Sequence, residues 1–194
     1  MSVGVKVAPL GLKLVEASLG RILALTNDPV RASRVAGTAV RGVLQRHFAD
    51  LNLRPNKQGW SKTGFWAQVR ASVVQIEDDR GVTVQVNDPR FALRLHGGEV
   101  TPKKSRALAI PLKPEFRGVN PRALGDRLFM VRSKSGKAIG YLAERNPDGS
   151  LRMAYALKRR TVHKPDPGVM PTPADIEASA LRAVTALIDS TLES

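Results

Sequence analysis

The chain has 194 residues, which suits one domain or one domain with arms, and 42% of them are hydrophobic, enough to bury a core. It contains no cysteine, which excludes disulfide bonds, thiolate zinc sites and a cysteine nucleophile. A formal charge of +14, from 31 Lys and Arg against 17 Asp and Glu, favours a polyanionic partner, nucleic acid first and an acidic protein second. The alternative is a basic surface that only keeps the protein soluble.

Two helices are predicted first. Residues 12–25 repeat apolar side chains at helical spacing, so residues 1–29 are interpreted as an N-terminal helical segment. The second helix is expected from Val30 to Leu51, because apolar residues recur three or four positions apart along one face. That face consists of Val40, Val43, Leu44, Phe48 and Leu51. Gly37 and Gly42 weaken a helix by about 1 kcal/mol each, which indicates that they allow close packing against a neighbour.

The hydrophobic period then changes to two, which predicts strands. After a short helical turn at Phe65–Val69, apolar and polar residues alternate at Val74–Ile76 and again at Val82–Val86. Asp79–Gly81 lies between the two runs. We therefore expect a β-hairpin here.

A long basic arm is expected after the hairpin. Pro89–Leu95 predicts one helical turn, which Gly97 and Gly98 close. The arm, residues 99–120, contains three prolines and one short predicted strand at Ala107–Ile110. Its cations are Lys103, Lys104, Arg106, Lys113 and Arg117. A segment so basic and so poor in large apolar residues is expected to project and to become ordered only on assembly.

The last third of the chain predicts more strands and a closing helix. Strands are expected at Leu128–Arg132, Ala138–Ala143 and Leu151–Leu157, separated by turns at Ser135-Gly136 and Asn146–Gly149. A basic, proline-rich connector follows at Lys158–Pro173. The closing helix begins at Thr172-Pro173, where Asp175 is placed for a capping box.

These elements together predict the α+β class, with an antiparallel sheet of about five strands and helices packed on one face. The domain is expected to span residues 30–194, with the arm at 99–120 inside it, and to follow the helical segment 1–29. Met1–Leu10 does not resemble a signal peptide, and no run approaches the roughly 18 apolar residues of a membrane span.

The three histidines do not predict a catalytic or metal site. None has a metal-ligand spacing, and neither a nucleophile motif nor a phosphate-binding loop accompanies them. His47 follows the apolar face and is interpreted as a half-buried helix residue, and His163 as part of a basic strand end. His96, beside two glycines, could serve as a base but lacks partners for that role.

The acidic residues do not match a nuclease pattern. Glu77–Asp79 could bind a metal, but carboxylates at a hairpin turn are usually solvated. Asp88, Glu99 and Lys103 approach the restriction-type arrangement, which requires the acid and the lysine two positions apart. Here they are four apart, so the match fails and we predict no metal-dependent catalysis.

Trp60 and Trp66 flank Lys62, and this arrangement has two interpretations. Tryptophans beside cations can stack on nucleic-acid bases. In a chain with only 5% aromatic residues they are more often core anchors, which is the interpretation we favour.

Several short motifs in one order resemble a known family. They are Gly59-Trp60, Thr63-Gly64-Phe65-Trp66, Phe91-Ala92, His96-Gly97-Gly98, Pro102-Lys103-Lys104 and Leu108-Ala109-Ile110-Pro111. This order resembles the virion-morphogenesis or tail-completion proteins of Mu-like and other long-tailed phages and prophages. The resemblance covers about residues 30–190, and the Tyr155–Lys158 strand and the closing helix also fit it.

The resemblance implies a structural protein of the virion neck or tail terminus, present in the host cytoplasm during assembly. Its implied partners are further copies of itself in a homo-oligomeric ring, neighbouring connector, tail-tube or terminator proteins, and packaged DNA through non-specific contact. It implies head–tail joining or tail completion, with no catalytic residue, no cofactor and no membrane. The candidate assembly or DNA-contact residues are His96, Gly97, Gly98, Lys103, Lys104, Arg106, Lys158, Arg159 and Arg160.

Two other functions remain open on the sequence. A free-standing, sequence-independent nucleic-acid-binding module is favoured by the charge and by the tryptophan pair, although no helix-turn-helix, zinc-finger or single-strand-binding signature is present. An enzyme, either a nuclease or a hydrolase, is disfavoured by the failed motif searches.

Overall fold

The computed structural model describes residues 3–7, 29–56, 58–78, 81–133 and 138–192. In these residues helices accompany antiparallel sheets, which confirms the α+β class. The chain divides into two compact units, whereas the sequence analysis expects one domain from residue 30 onwards. Met1–Asn56, Lys62–His96 and Pro165–Ser194 form unit 1, and Lys57–Ser61 and Gly97–Lys164 form unit 2.

Unit 1 combines an antiparallel sheet with helices. Its described elements are β1 (Val3–Val7), α1 (Pro29–Leu53), α2 (Phe65–Ala71), β2 (Val73–Asp78), β3 (Gly81–Val86), α3 (Pro89–His96) and α4 (Pro173–Leu192). The sheet has the order β1-β3-β2. Val82, Val84 and Val86 are buried and the residues between them are half-buried, so the predicted β2–β3 hairpin is confirmed. Asp79 and Arg80 of its turn lie outside the described residues.

The N-terminal segment differs from its predicted helical structure at residues 3–7. These residues form β1, which pairs with β3 from Val3 opposite Val86 to Val7 opposite Val82. Valine at every second position is a period of two, which favours a strand. The predicted helix at residues 12–25 lies outside the described residues.

Helix α1 builds the core of unit 1 through the apolar face that its sequence predicts. Val40, Leu44 and Phe48 are fully buried and pack against β2, β3 and α2. The close approach predicted at Gly37 is confirmed, because a Cβ atom there would lie 2.4 Å from Val82 Cγ1. At Gly42 a Cβ atom would meet only the side chain of Arg46, on the same helix.

Unit 2 contains two antiparallel sheets in its described residues. Its strands are β4 (Gly98–Val100), β5 (Leu108–Pro111), β6 (Phe129–Arg132), β7 (Gly140–Arg145), β8 (Leu151–Lys158) and β9 (Thr161–His163). β4 pairs with β9, and the second sheet has the order β5-β8-β7-β6. The expected single sheet of about five strands is thus replaced by three sheets across the two units. Local periodicity predicts strands but does not reveal which distant strands will pair.

The predicted arm at residues 99–120 is structured over much of its length. β4 and β5 lie in separate sheets, and a 3-10 helix follows at Pro114–Phe116. Phe116 is buried against Tyr155, whose hydroxyl lies 3.2 Å from the Phe116 carbonyl oxygen and 3.0 Å from that of Val119. The description of 99–120 as one projecting arm is therefore corrected. Its few apolar residues find partners in β8, which is distant in the sequence.

Helix α4 begins where the sequence predicts. Thr172 Oγ1 accepts a hydrogen bond from the Asp175 backbone N–H at 3.2 Å and donates one to Asp175 Oδ2 at 2.6 Å, which gives the expected cap. α4 packs against α1. Among the described residues, none of the helices combines the length and the apolar character that crossing a bilayer requires.

Candidate polyanion-contact surface

Two basic connections in unit 2 join the same pair of sheets. Residues 101–107 connect β4 to β5, and residues 159–160 connect β8 to β9. The strand residues that flank the two connections are paired: Val100 lies opposite Thr161, and Leu108 lies opposite Lys158. Opposed Cα atoms in antiparallel strands are about 5 Å apart. The two connections are therefore neighbours, although more than fifty positions separate them in the sequence.

The two connections differ in length, so the longer one cannot run straight between its ends. Lys158 and Thr161 are three Cα steps apart and at most about 11 Å from each other. Val100 and Leu108 are then no more than about 20 Å apart, whereas the chain between them could span about 28 Å. The surplus length allows residues 101–107 to rise from the sheet ends.

We define the basic surface as the cations of these connections and of the end of β9: Lys103, Lys104, Arg106, Lys158, Arg159, Arg160 and Lys164. All are exposed except Lys158, which is half-buried. Residues 101–107 and 158–164 contain no Asp or Glu. The adjoining carboxylate of Glu99 contacts Arg160 at 3.1 Å. Seven cations and one carboxylate leave an excess of six charges, a large part of the total of +14.

These charges act together on a ligand. At 0.1 M salt the Debye length is about 10 Å, about half of the greatest separation between the two ends of the longer connection. The Arg160–Glu99 pair is exposed on both sides, and pairs of this kind contribute about 1 kcal/mol or less. A phosphate can therefore displace Glu99 at little cost. The arrangement is suited to binding a polyanion.

The structure separates the nine candidate residues predicted from the sequence. Lys103, Lys104, Arg106 and the Lys158–Arg160 run come together in unit 2, as described above. His96 is exposed at the end of α3 in unit 1. Gly97 and Gly98 begin unit 2 with φ of 71° and 141°, so they act through backbone conformation.

Two other sequence interpretations are confirmed in unit 1. His47 is half-buried and makes an edge-on contact with Phe48 at 6.0 Å between ring centroids. Trp66 stacks on the same phenylalanine at 6.0 Å, as a core anchor does. In unit 2, Trp60 is half-buried and lies beneath the guanidinium of Arg117 at 6.0 Å.

The acidic candidates have structural partners. Glu77 accepts hydrogen bonds from Arg34, and Asp88 caps α3 by accepting the Arg90 N–H at 2.9 Å. Hydrogen bonds from the Arg90 side chain hold the pKa of Asp88 below its ordinary value. Within the described residues, no three of the His, Asp and Glu side chains form a group that could hold a metal ion.

Unit 2 contains a network of charged side chains that the sequence did not predict. The Glu144 carboxylate is buried and contacts Arg152 on β8 and Arg127 at 3.4 Å, and Arg152 also contacts Glu115 at 3.1 Å. A cleft of about 620 Å³ opens beside it. Because Glu144 offsets the arginines that it contacts, we assign the network a structural role. The hairpin turn at Asn146–Gly149 could have predicted it, since pairing across that turn places Glu144 opposite Arg152.

Comparison with known proteins adds no relative. No family model, no curated protein and no solved structure matches the chain. The likeness to tail-completion proteins therefore depends on the short sequence motifs alone.

Proposed function

We propose that the chain is a structural, non-enzymatic component of a tailed-phage neck or tail terminus. In this proposal it forms a homo-oligomeric ring in head–tail joining or tail completion, and neighbouring connector, tail-tube or terminator proteins are its other partners. The basic surface would contact the DNA that passes the ring. The virion is accordingly the proposed location.

The observation that carries the DNA contact is the meeting of two basic connections in unit 2. Three motifs of the resemblance lie in or beside one of these connections. His96-Gly97-Gly98 precedes and enters β4, Pro102-Lys103-Lys104 lies in the connection, and Leu108–Pro111 is β5. The motifs that suggest the family therefore include two cations of the basic surface, which supports the proposed DNA contact.

A free-standing, sequence-independent nucleic-acid-binding module is the second candidate. The same surface favours it, because backbone binding to nucleic acid requires clustered cations and little else. The two candidates differ in assembly, since a module of this kind has no need of a ring or of a place in a particle.

Assembly and location provide the test. Native mass spectrometry of the purified chain should give one closed oligomer, and proteomics of particles released from a strain that encodes the chain should detect it at a fixed ratio to tail proteins. If the chain is a monomer and is absent from purified particles, the structural proposal is contradicted. The nucleic-acid-binding module is then the better candidate. A particle component that is monomeric would contradict the ring.

A further inference from the structure

We infer that the basic surface binds double-stranded DNA through its phosphates, independently of sequence, and in preference to single strands. The inference rests on the proposed DNA contact and specifies its ligand. It follows from what the two connections contain, what they lack and how far they extend.

The surface lacks the side chains on which single strands are bound. Proteins that bind single-stranded nucleic acid combine a basic groove with aromatic rings that stack on the bases. Residues 101–107 and 158–164 contain no Phe, Tyr or Trp, and the one ring among them is the exposed His163. A duplex keeps its bases stacked internally and offers only its backbone to such a surface. It also has twice the phosphate density of one strand along its axis.

The larger aromatic residues of unit 2 do not supply this function. Phe116 and Tyr155 pack in the core, and Trp60 contacts Arg117. Tyr141 is half-buried on β7, two strands and about 10 Å from β5, and Phe129 lies on β6, three strands and about 14 Å from β5. The two connections themselves therefore carry no stacking platform.

The surface also lacks the side chains that recognise adenine and cytosine. Asn and Gln recognise adenine, and Asp and Glu recognise cytosine, in the major groove. Neither connection contains any of these four residue types. Arginine can read guanine, but Arg106, Arg159 and Arg160 lie on irregular segments and no helix presents them to a groove. Binding should accordingly depend on charge and shape alone.

The extent of the surface sets the number of contacts. Its base spans at most about 20 Å, and phosphates of one strand follow each other by about 3.4 Å along the axis. At most about six phosphates of one strand therefore lie within reach, a number similar to the excess of positive charges.

Fluorescence anisotropy of the full chain with a 24-base-pair duplex and with a single strand of equal length tests this inference. We expect tighter binding to the duplex at every salt concentration, equal affinity for unrelated sequences, and a slope of log K against log salt of about −5. Equal or tighter binding to the single strand would overturn the inference, as would a tenfold preference for one duplex sequence. Tighter binding of polyglutamate than of the duplex at equal charge concentration would point to an acidic protein as the partner and would also overturn it.

Two charge-matched variants locate the contact. K103Q/K104Q/R106Q should reduce the salt slope by about three units, because each lost phosphate contact removes about 0.9. K113Q/R122Q/R145Q removes the same charge at exposed sites of unit 2 outside the two connections, with Lys113 and Arg145 at the opposite ends of β5 and β7, and should change the slope by less than one unit. Equal losses in both variants would contradict a localised surface. A chain that forms the ring but binds no duplex at 50 mM salt would overturn this inference and leave the structural proposal intact.

Discussion

Leu108 on β5 lies opposite Lys158 on β8, fifty positions later in the chain. This pairing brings the loop that ends at Ala107 beside the turn that begins at Arg159. Two basic segments that the sequence presents separately thereby become one surface. The sheet register, more than the composition of either segment, determines how the cations are arranged.

Gly37 on α1 should be intolerant of alanine. A Cβ atom would lie 2.4 Å from Val82 Cγ1 in the core. Overpacking of a core costs about 1–3 kcal/mol, and alanine regains about 1 kcal/mol of helix propensity, so we expect Gly37→Ala to lower the free energy of unfolding by up to about 2 kcal/mol. Gly42→Ala is the matched control and should raise it by up to about 1 kcal/mol, because only Arg46 lies nearby. Urea unfolding followed by Trp66 fluorescence measures both, and equal effects would contradict the close packing.

Glu144 should stabilise unit 2 more than its exposed partner Arg127. Glu144→Ala removes a buried carboxylate, but Arg152 is 38% exposed and keeps its contact with Glu115 at 3.1 Å, so we expect the free energy of unfolding to fall by about 1–2 kcal/mol. Arg127→Gln removes an ion pair in which the arginine side chain is 69% exposed. We expect this change to lower the free energy of unfolding by less than about 1 kcal/mol. Urea unfolding monitored at Trp60, in a Trp66→Phe background, reports on unit 2. Similar losses for the two variants would show that the network contributes little.

Asp88 should make stability sensitive to acid. Its pKa is lowered in the folded state by the Arg90 side chain, so its contribution is complete above its ordinary value of 3.8 and is lost as the pH falls through the lower folded value. Asp88→Ala should lower the free energy of unfolding by about 1 kcal/mol at pH 7, because the helix cap is lost. Asp88→Asn should lower it by less, because asparagine also caps helices. The difference in unfolding free energy between wild type and Asp88→Asn should shrink below about pH 4. A difference that stays constant from pH 7 to pH 3 would contradict the role of the ion pair.

Hydrogen exchange should divide the predicted arm into an ordered and an exchanging part. The Leu112 N–H donates to the Ala154 carbonyl oxygen at 2.9 Å, so its exchange should be slow in the isolated chain. The amides of Lys103 and Lys104, in the connection between β4 and β5, should exchange rapidly. NMR-detected exchange of the free protein resolves these positions. Rapid exchange throughout residues 99–120 would restore the expectation of an arm that is ordered only on assembly.

The sequence by itself determined the local elements and the general chemistry of this protein. Valine alternation in β3, the apolar face of α1 and the Thr172–Asp175 cap each depend on residues a few positions apart, and each agrees with the structure. The net charge of +14 also favours a polyanionic partner, which remains a prediction.

The tertiary structure decided what depends on distant residues. The division into two units, the replacement of one sheet by three, and the burial of Phe116 against Tyr155 all follow from strand pairing, which local patterns leave open. The same holds for the basic surface. Side-chain charge is a property of each residue, but the distance between Lys104 and Arg159 is a consequence of how β5 and β9 find their partners across more than fifty residues.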